Sequence, residues 1–136
     1  MTSSNDLSPQ IAKILGFKSG MTVCAINVPE DYGDLLGELP EDVIWAHDLE
    51  SPRDLVHLFV TEQDRLTGIL SKASQAIQPR SILWISWPKR VSRMPTDLTR
   101  GVIQELCLPF GLVATKGCIV DAVWSALKFE SRKELR

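Results

Sequence analysis

Apolar and polar residues along this chain follow two different periods. Residues 21–28 (M-T-V-C-A-I-N-V) form a nearly continuous apolar run with β-branched side chains. A run of that kind predicts a strand buried on both faces, as in a parallel sheet. Shorter runs at 43–46, 55–60 and 82–87 predict three more strands. Between the runs the spacing becomes helical. Leu66, Ile69, Leu70, Ala73 and Ile77 make one apolar stripe, with Thr61 as its expected cap and Asp64 three residues later. Leu98, Val102, Ile103, Leu106 and Phe110 make another, ended by Gly111. Thr96 is its expected cap, and Asp97 suits the positive end of a helix dipole. Ser8-Pro9 predicts the start of a first helix on which Ile11, Ile14 and Leu15 share a face. A short helix is expected at 32–39, stopped by Pro40. Residues 112–120 and 122–129 predict two final strands with almost nothing between them. A link that short forces an antiparallel hairpin.

This order of elements is an α/β pattern, and helix-bearing crossovers make neighbouring strands parallel. The last strand must therefore run antiparallel, at or near one edge. At 136 residues the chain fits one domain, expected over 8–130, with a disordered tail at 1–7 and a charged tail at 131–136. A net charge of −2 leaves no basic footprint for nucleic acid. The basic run 89–93 (K-R-V-S-R) reads as a solvated loop. The longest apolar runs fall well short of the roughly 18 residues that a membrane helix needs.

Cys24, Cys107 and Cys118 are widely spaced and match no zinc or disulfide pattern, so each reads as a buried free thiol. Reduced thiols and a polar N-terminal stretch without a signal sequence point to the cytoplasm. His57 lies within L-V-H-L-F-V and reads as a hydrogen-bonded core histidine. His47 precedes Asp48 at a strand end, a better place for chemistry. Two histidines with no facing pair provide no metal centre. Trp84 and Trp87 read as core or sheet-face residues. No nucleophile elbow and no phosphate-binding P-loop is present.

The turn at 18–23 (K-S-G-M-T-V), the lead-in at 78–84 (Q-P-R-S-I-L-W) and the terminal hairpin together resemble a Rossmann-like methyltransferase fold. The resemblance implies a single three-layer sandwich with a mostly parallel sheet, its last strand inserted antiparallel. It also implies S-adenosylmethionine as the cofactor to consider, with Asp48 placed for ribose hydroxyls and Glu30 in the turn after the first strand. In that family this turn is glycine-rich, because only glycine lets the backbone approach the cofactor closely. Here residues 27–33 read N-V-P-E-D-Y-G, with one glycine, a proline and two acids. A second similarity covers most of the chain. Leu15-Gly16, Asn27-Val28-Pro29, Trp87-Pro88-Lys89, the stretch 96–100 (T-D-L-T-R) and Asp121 with 124–129 (W-S-A-L-K-F) resemble a bacterial family of small proteins grouped as a domain of unknown function.

In open α/β sheets ligands bind beyond the carboxyl ends of the parallel strands. Lys89, Thr96, Asp97, Arg100, Asp121 and Trp124 are expected to converge there. A capped helix start offers free N–H groups to an anion, Lys89 and Arg93 add charge, and Trp124 offers a stacking face. Each residue also has a plainer reading. Asp97 and Arg100 suit a weak surface ion pair three residues apart, Trp124 suits hairpin core, and Lys89 suits a solvated strand end. The expected function is a degenerate Rossmann-like domain that binds a small anionic or nucleotide-like ligand, or a protein partner, without clear catalytic machinery. The alternatives are a divergent S-adenosylmethionine-dependent methyltransferase and a self-associating module that pairs through a sheet edge.

Overall fold

A computed structural model describes residues 11–131, apart from the side chains at 78 and 79. The expected start at Ser8-Pro9 and most of both expected tails lie outside the described residues. The order is α1 (Ile11–Leu15), β1 (Thr22–Ile26), α2 (Tyr32–Leu36), β2 (Ile44–Trp45), β3 (Arg53–Phe59), α3 (Gln63–Ala76), β4 (Ile77–Pro88), α4 (Arg100–Cys107), β5 (Leu112–Ile119) and β6 (Trp124–Ser131). The strands form one six-stranded mixed sheet in the order β2-β1-β3-β4-β6-β5. The first four run parallel, while β6 pairs antiparallel with both β4 and β5. The expected antiparallel last strand is therefore present, one place in from the edge, and β5 forms the edge itself.

β3 shows why these runs become central strands. Leu55, Val56, His57, Leu58 and Phe59 are all buried, so both faces of the strand are covered. Val56 and Leu58 join Leu66 and Leu70 of α3 and Ile103 and Cys107 of α4 in one apolar cluster. Leu55 and Phe59 join Ala12 and Leu15 of α1 and Tyr32 and Leu36 of α2 in a second cluster. Burying the apolar side chains on both faces removes them from water and drives the layering. Among the described residues the α1–α2 face is covered by these two helices. On α1 the expected shared face is incomplete: Ile11 and Leu15 are buried with Ala12, whereas Ile14 is 46% exposed.

Most elements fall where the apolar pattern places them, but β4 begins at Ile77, ahead of the expected 82–87, and takes that residue from the expected α3 stripe. Asn27 (φ 60°) closes β1 and Gly37 (φ 76°) closes α2, both in the left-handed region. The expected turn at Pro79-Arg80 is an irregularity inside β4. Pairing with β3 jumps from Arg53↔Ile77 to Leu55↔Ile82, and Arg80 has φ 79°. Among the described residues no helix is long and apolar enough to cross a membrane.

Candidate functional site

From β1 the chain passes to β2 on one side, and β3 then pairs on the other side, which makes a topological switch point beside β1. Three cavities open along the carboxyl edge of the parallel strands. The first, of about 530 Å³, follows β4 and is lined by Trp87, Arg90, Arg93, Met94, Asp97 and Arg100 among others. The second, of about 480 Å³, includes Asn27, Asp48, Arg65 and Lys72. The third, of about 320 Å³, includes Asn27, Thr61, Arg65 and Trp124.

The wall of the first cavity is built by the segment before α4. Thr96 does not cap a helix, which corrects the expectation from its sequence position. Its Oγ1 donates to the Thr61 carbonyl at 2.6 Å and accepts from the Leu98 amide at 3.1 Å. α4 starts at Arg100, and its cap is Thr99, whose Oγ1 accepts from the Val102 amide at 3.2 Å. Asp97 is not a first-turn acid of α4 either. Its Oδ1 accepts from the Gln63 amide at 2.8 Å, and the Gln63 side chain donates back to the Asp97 carbonyl at 2.9 Å. Asp97 thus caps α3 from 34 residues away, in place of the expected Thr61. The residue at the α3 cap position, Glu62, makes no capping bond of its own. Helix starts leave amides without intrahelical partners, so this bond has a cost when lost. Asp97→Ala is expected to lower stability by about 1 kcal/mol, and Asp97→Asn to restore most of it. Urea denaturation of the two variants measures this, and an alanine variant as stable as the parent would refute the capping role.

With Asp97 engaged on α3, Arg100 has no ion pair with it. Arg90, Arg93 and Arg100 have no carboxylate partner among the described residues. Arg53, at the start of β3, and Arg65, on α3, are by contrast paired with Asp48 at 2.8 Å and with Glu62 at 3.3 Å. Arg93 is held in the left-handed region at φ 62°, after a turn in which the Ser92 hydroxyl donates to the Lys89 carbonyl at 2.7 Å. The Arg100 guanidinium lies against the β5 backbone. A Cβ added at Gly117 would stand 2.5 Å from its Nη2, so any larger residue there would push the guanidinium aside.

The other three expected residues share the rim but do not line this cavity. Pro88 of β4 pairs with Trp124 of β6, and the Lys89 amide donates to the Val123 carbonyl at 2.6 Å. The ends of the two strands therefore meet. Asp121 spends its carboxylate on its own turn, where Oδ1 accepts from the Val123 and Trp124 amides, both at 2.8 Å. Trp124 is 9% exposed, with its ring against Phe59 at a centroid distance of 5.0 Å. The two rings meet edge to face at 88°, and Phe59 in turn packs on Tyr32 at 5.5 Å.

His57 is the hydrogen-bonded core residue that its neighbours predict. It is fully buried, with Nδ1 at 2.9 Å from the Tyr32 hydroxyl and Nε2 at 2.7 Å from Ser86 Oγ. A proton on Nε2 satisfies both bonds, with Tyr32 donating to Nδ1. Burial lowers the His57 pKa to about 3 and raises that of Tyr32 above the ordinary phenol value. Burial also pushes the Cys107 thiol up to about 12, and all three cysteines are free. At the second cavity Asp48 receives Arg53 Nη2 at 2.8 Å and the Glu50 amide at 3.2 Å, both on Oδ1. Glu30 is exposed on the turn after β1 and lines none of the three cavities. No group of His, Cys, Asp and Glu that could hold a metal ion occurs among the described residues.

Arg90 was missing from the residues singled out in the sequence. The signal was present, because the 89–93 basic run directly follows a buried strand, where the fold collects ligands.

No protein-family model matches the chain, and no curated protein matches it in sequence. Solved structures do match in fold. A possible exported protein from Bordetella parapertussis aligns with TM-score 0.61 and 10% identity, over 89% of this chain and 65% of its own. This chain thus spans just under two thirds of that protein. The magnesium protoporphyrin IX methyltransferase from Synechocystis, with bound S-adenosylmethionine, aligns with TM-score 0.59 and 10% identity, over 89% and 76%. An S-adenosylmethionine-dependent methyltransferase from Aquifex aeolicus aligns with TM-score 0.57 and 13% identity, over 88% and 87%. At such identities the likeness extends to the fold alone: the chain is an α/β protein with a methyltransferase-like, Rossmann-like sheet.

Proposed function

We propose that this chain is a ligand-binding domain on a methyltransferase-like scaffold. It takes a small anionic ligand, of nucleotide-like size, in the cavity after β4 and transfers no group itself. One observation carries the reading: Arg90, Arg93 and Arg100, without carboxylate partners among the described residues, line one cavity of about 530 Å³. Three cations against the single Asp97 carboxylate leave the cavity net positive, and a bound anion relieves their repulsion. Binding without transfer is supported by the turn after β1. Pro29 and two acids stand in it, and the Tyr32 ring that follows packs on Phe59 and His57.

Thermal unfolding with adenosine monophosphate or inorganic pyrophosphate, against sodium chloride at matched ionic strength, tests the site. At one hundred times its Kd a ligand adds about 2.7 kcal/mol, so the melting temperature is expected to rise by several degrees. Arg93→Gln and Arg100→Gln are expected to abolish the rise. Gly117→Ala keeps all three arginines but pushes the flexible end of Arg100 aside, so it is expected to reduce the rise with little change in the ligand-free protein. Equal shifts in the parent and both arginine variants would overturn the assignment.

The second cavity favours a second reading, a divergent S-adenosylmethionine-dependent enzyme. Asp48 follows β2 and lines this cavity with Asn27, and both described bonds to its carboxylate fall on Oδ1, which leaves Oδ2 for a ligand hydroxyl. Micromolar binding of S-adenosylmethionine that Asp48→Ala abolishes would favour this reading over the first.

A further inference from the structure

We infer that the cavity after β4 selects a phosphate monoester joined to a planar or apolar group, in preference to a carboxylate. The inference rests on the anion-binding reading above and narrows it. Three guanidiniums and one carboxylate line the cavity, which leaves a net of two positive charges. A phosphate monoester is close to a dianion above its second pKa of about 6, whereas a carboxylate carries a single charge. Guanidiniums present planar forks of N–H donors, and three of them can serve three phosphate oxygens together. The Asp97 carboxylate is held by the Gln63 amide, so it stays in place as a fixed charge and does not swing to neutralise an arginine.

The rest of the lining has a different chemistry. Trp87, Met94, Pro95 and Leu98 provide apolar and aromatic surface to the same cavity. A bare phosphate would leave that surface wet and most of the 530 Å³ empty. A phosphate carried on a flat apolar group satisfies both halves. Cavities of about 300–1,000 Å³ are the usual size for such ligands.

The same lining makes the inference testable by pH. The charged groups that face the cavity are Arg90 and Arg93 from the loop, Asp97 from the segment before α4, and Arg100 from α4. β4 contributes Trp87 and Pro88, β5 contributes Gly117 against Arg100, and no histidine is among the lining residues. Between pH 8 and pH 5 the protonation change therefore belongs to the ligand.

Calorimetric titration of the full chain with phenyl phosphate, benzoate and inorganic phosphate tests the inference. At pH 8 phenyl phosphate is expected to bind at least tenfold tighter than either of the others. At pH 5 its affinity should drop about tenfold, following loss of the dianion, while that of benzoate stays nearly constant. Arg93→Gln should bring phenyl phosphate close to benzoate. Benzoate as tight as phenyl phosphate would overturn the phosphate preference and leave an anion site standing. Inorganic phosphate as tight as phenyl phosphate would overturn the apolar half. Absence of binding by all three would overturn the anion-site reading beneath it.

Discussion

Replacing Trp84 by alanine is expected to remove about 3–5 kcal/mol of stability, several times the cost of losing the Asp97 cap. Trp84 is the largest fully buried side chain among the described residues. It sits on central strand β4, in the apolar cluster beneath α1 and α2. α2 has five residues, so it cannot follow the sheet inward without losing its own few contacts. The cavity would stay open, and an unfilled cavity adds its own cost to the lost transfer energy. The indole makes a second contribution, because Nε1 donates to the Leu15 carbonyl at 2.8 Å. That carbonyl ends α1 and has no helical partner. Trp84→Phe, which keeps much of the bulk but drops the donor, is expected to cost about half as much as the alanine variant. Urea midpoints for the pair measure both parts. A midpoint for Trp84→Ala within error of the parent would show that the α1–α2 face does not depend on this ring.

The second large effect is a loss of stability in mild acid that traces to one histidine. His57 has a pKa of about 3 in the folded protein and about 6.5 in the unfolded chain. Below pH 6.5 the unfolded chain takes up a proton that the folded protein refuses. Stability that is fully present above pH 6.5 is therefore lost as pH falls, until the folded value near 3 is reached. The slope is about 1.4 kcal/mol per pH unit, so roughly 2–3 kcal/mol is gone by pH 4.5. Carboxylates add their own dependence at the lower end, and His57→Gln separates the two. The glutamine variant is expected to be less stable at pH 8 but much flatter between pH 6.5 and 4.5. Parallel pH profiles for parent and variant would show that the ring is not held neutral by burial.

Within the site, legibility differed from residue to residue. The burial of His57 could be read from its neighbours, since apolar residues on both sides leave it no route to water. Its partners could not be, because Tyr32 and Ser86 lie 25 and 29 residues away in the chain. Lys89, Thr96, Asp97, Arg100, Asp121 and Trp124 were legible as residues of one rim, since strand direction alone puts them there. Their division between a cavity wall, a turn and the core was not. Trp124 faces Phe59 because β6 enters the sheet beside β4, and nothing local to Trp124 specifies that neighbour.

The segment 96–100 shows the boundary between the two levels. Thr96, Asp97 and Thr99 are all good caps, and three candidates within four residues leave the start of α4 open. The choice is made by the β3–α3 connection, whose Thr61 carbonyl takes Thr96 and whose Gln63 amide takes Asp97, so that Thr99 remains for α4. Apolar period and strand direction are properties of the chain itself, and from them come the α/β class, the antiparallel last strand and the carboxyl edge on which the cavities open. Partners for short polar side chains depend on which backbone groups arrive unsatisfied from elsewhere, and only folding brings those groups within reach.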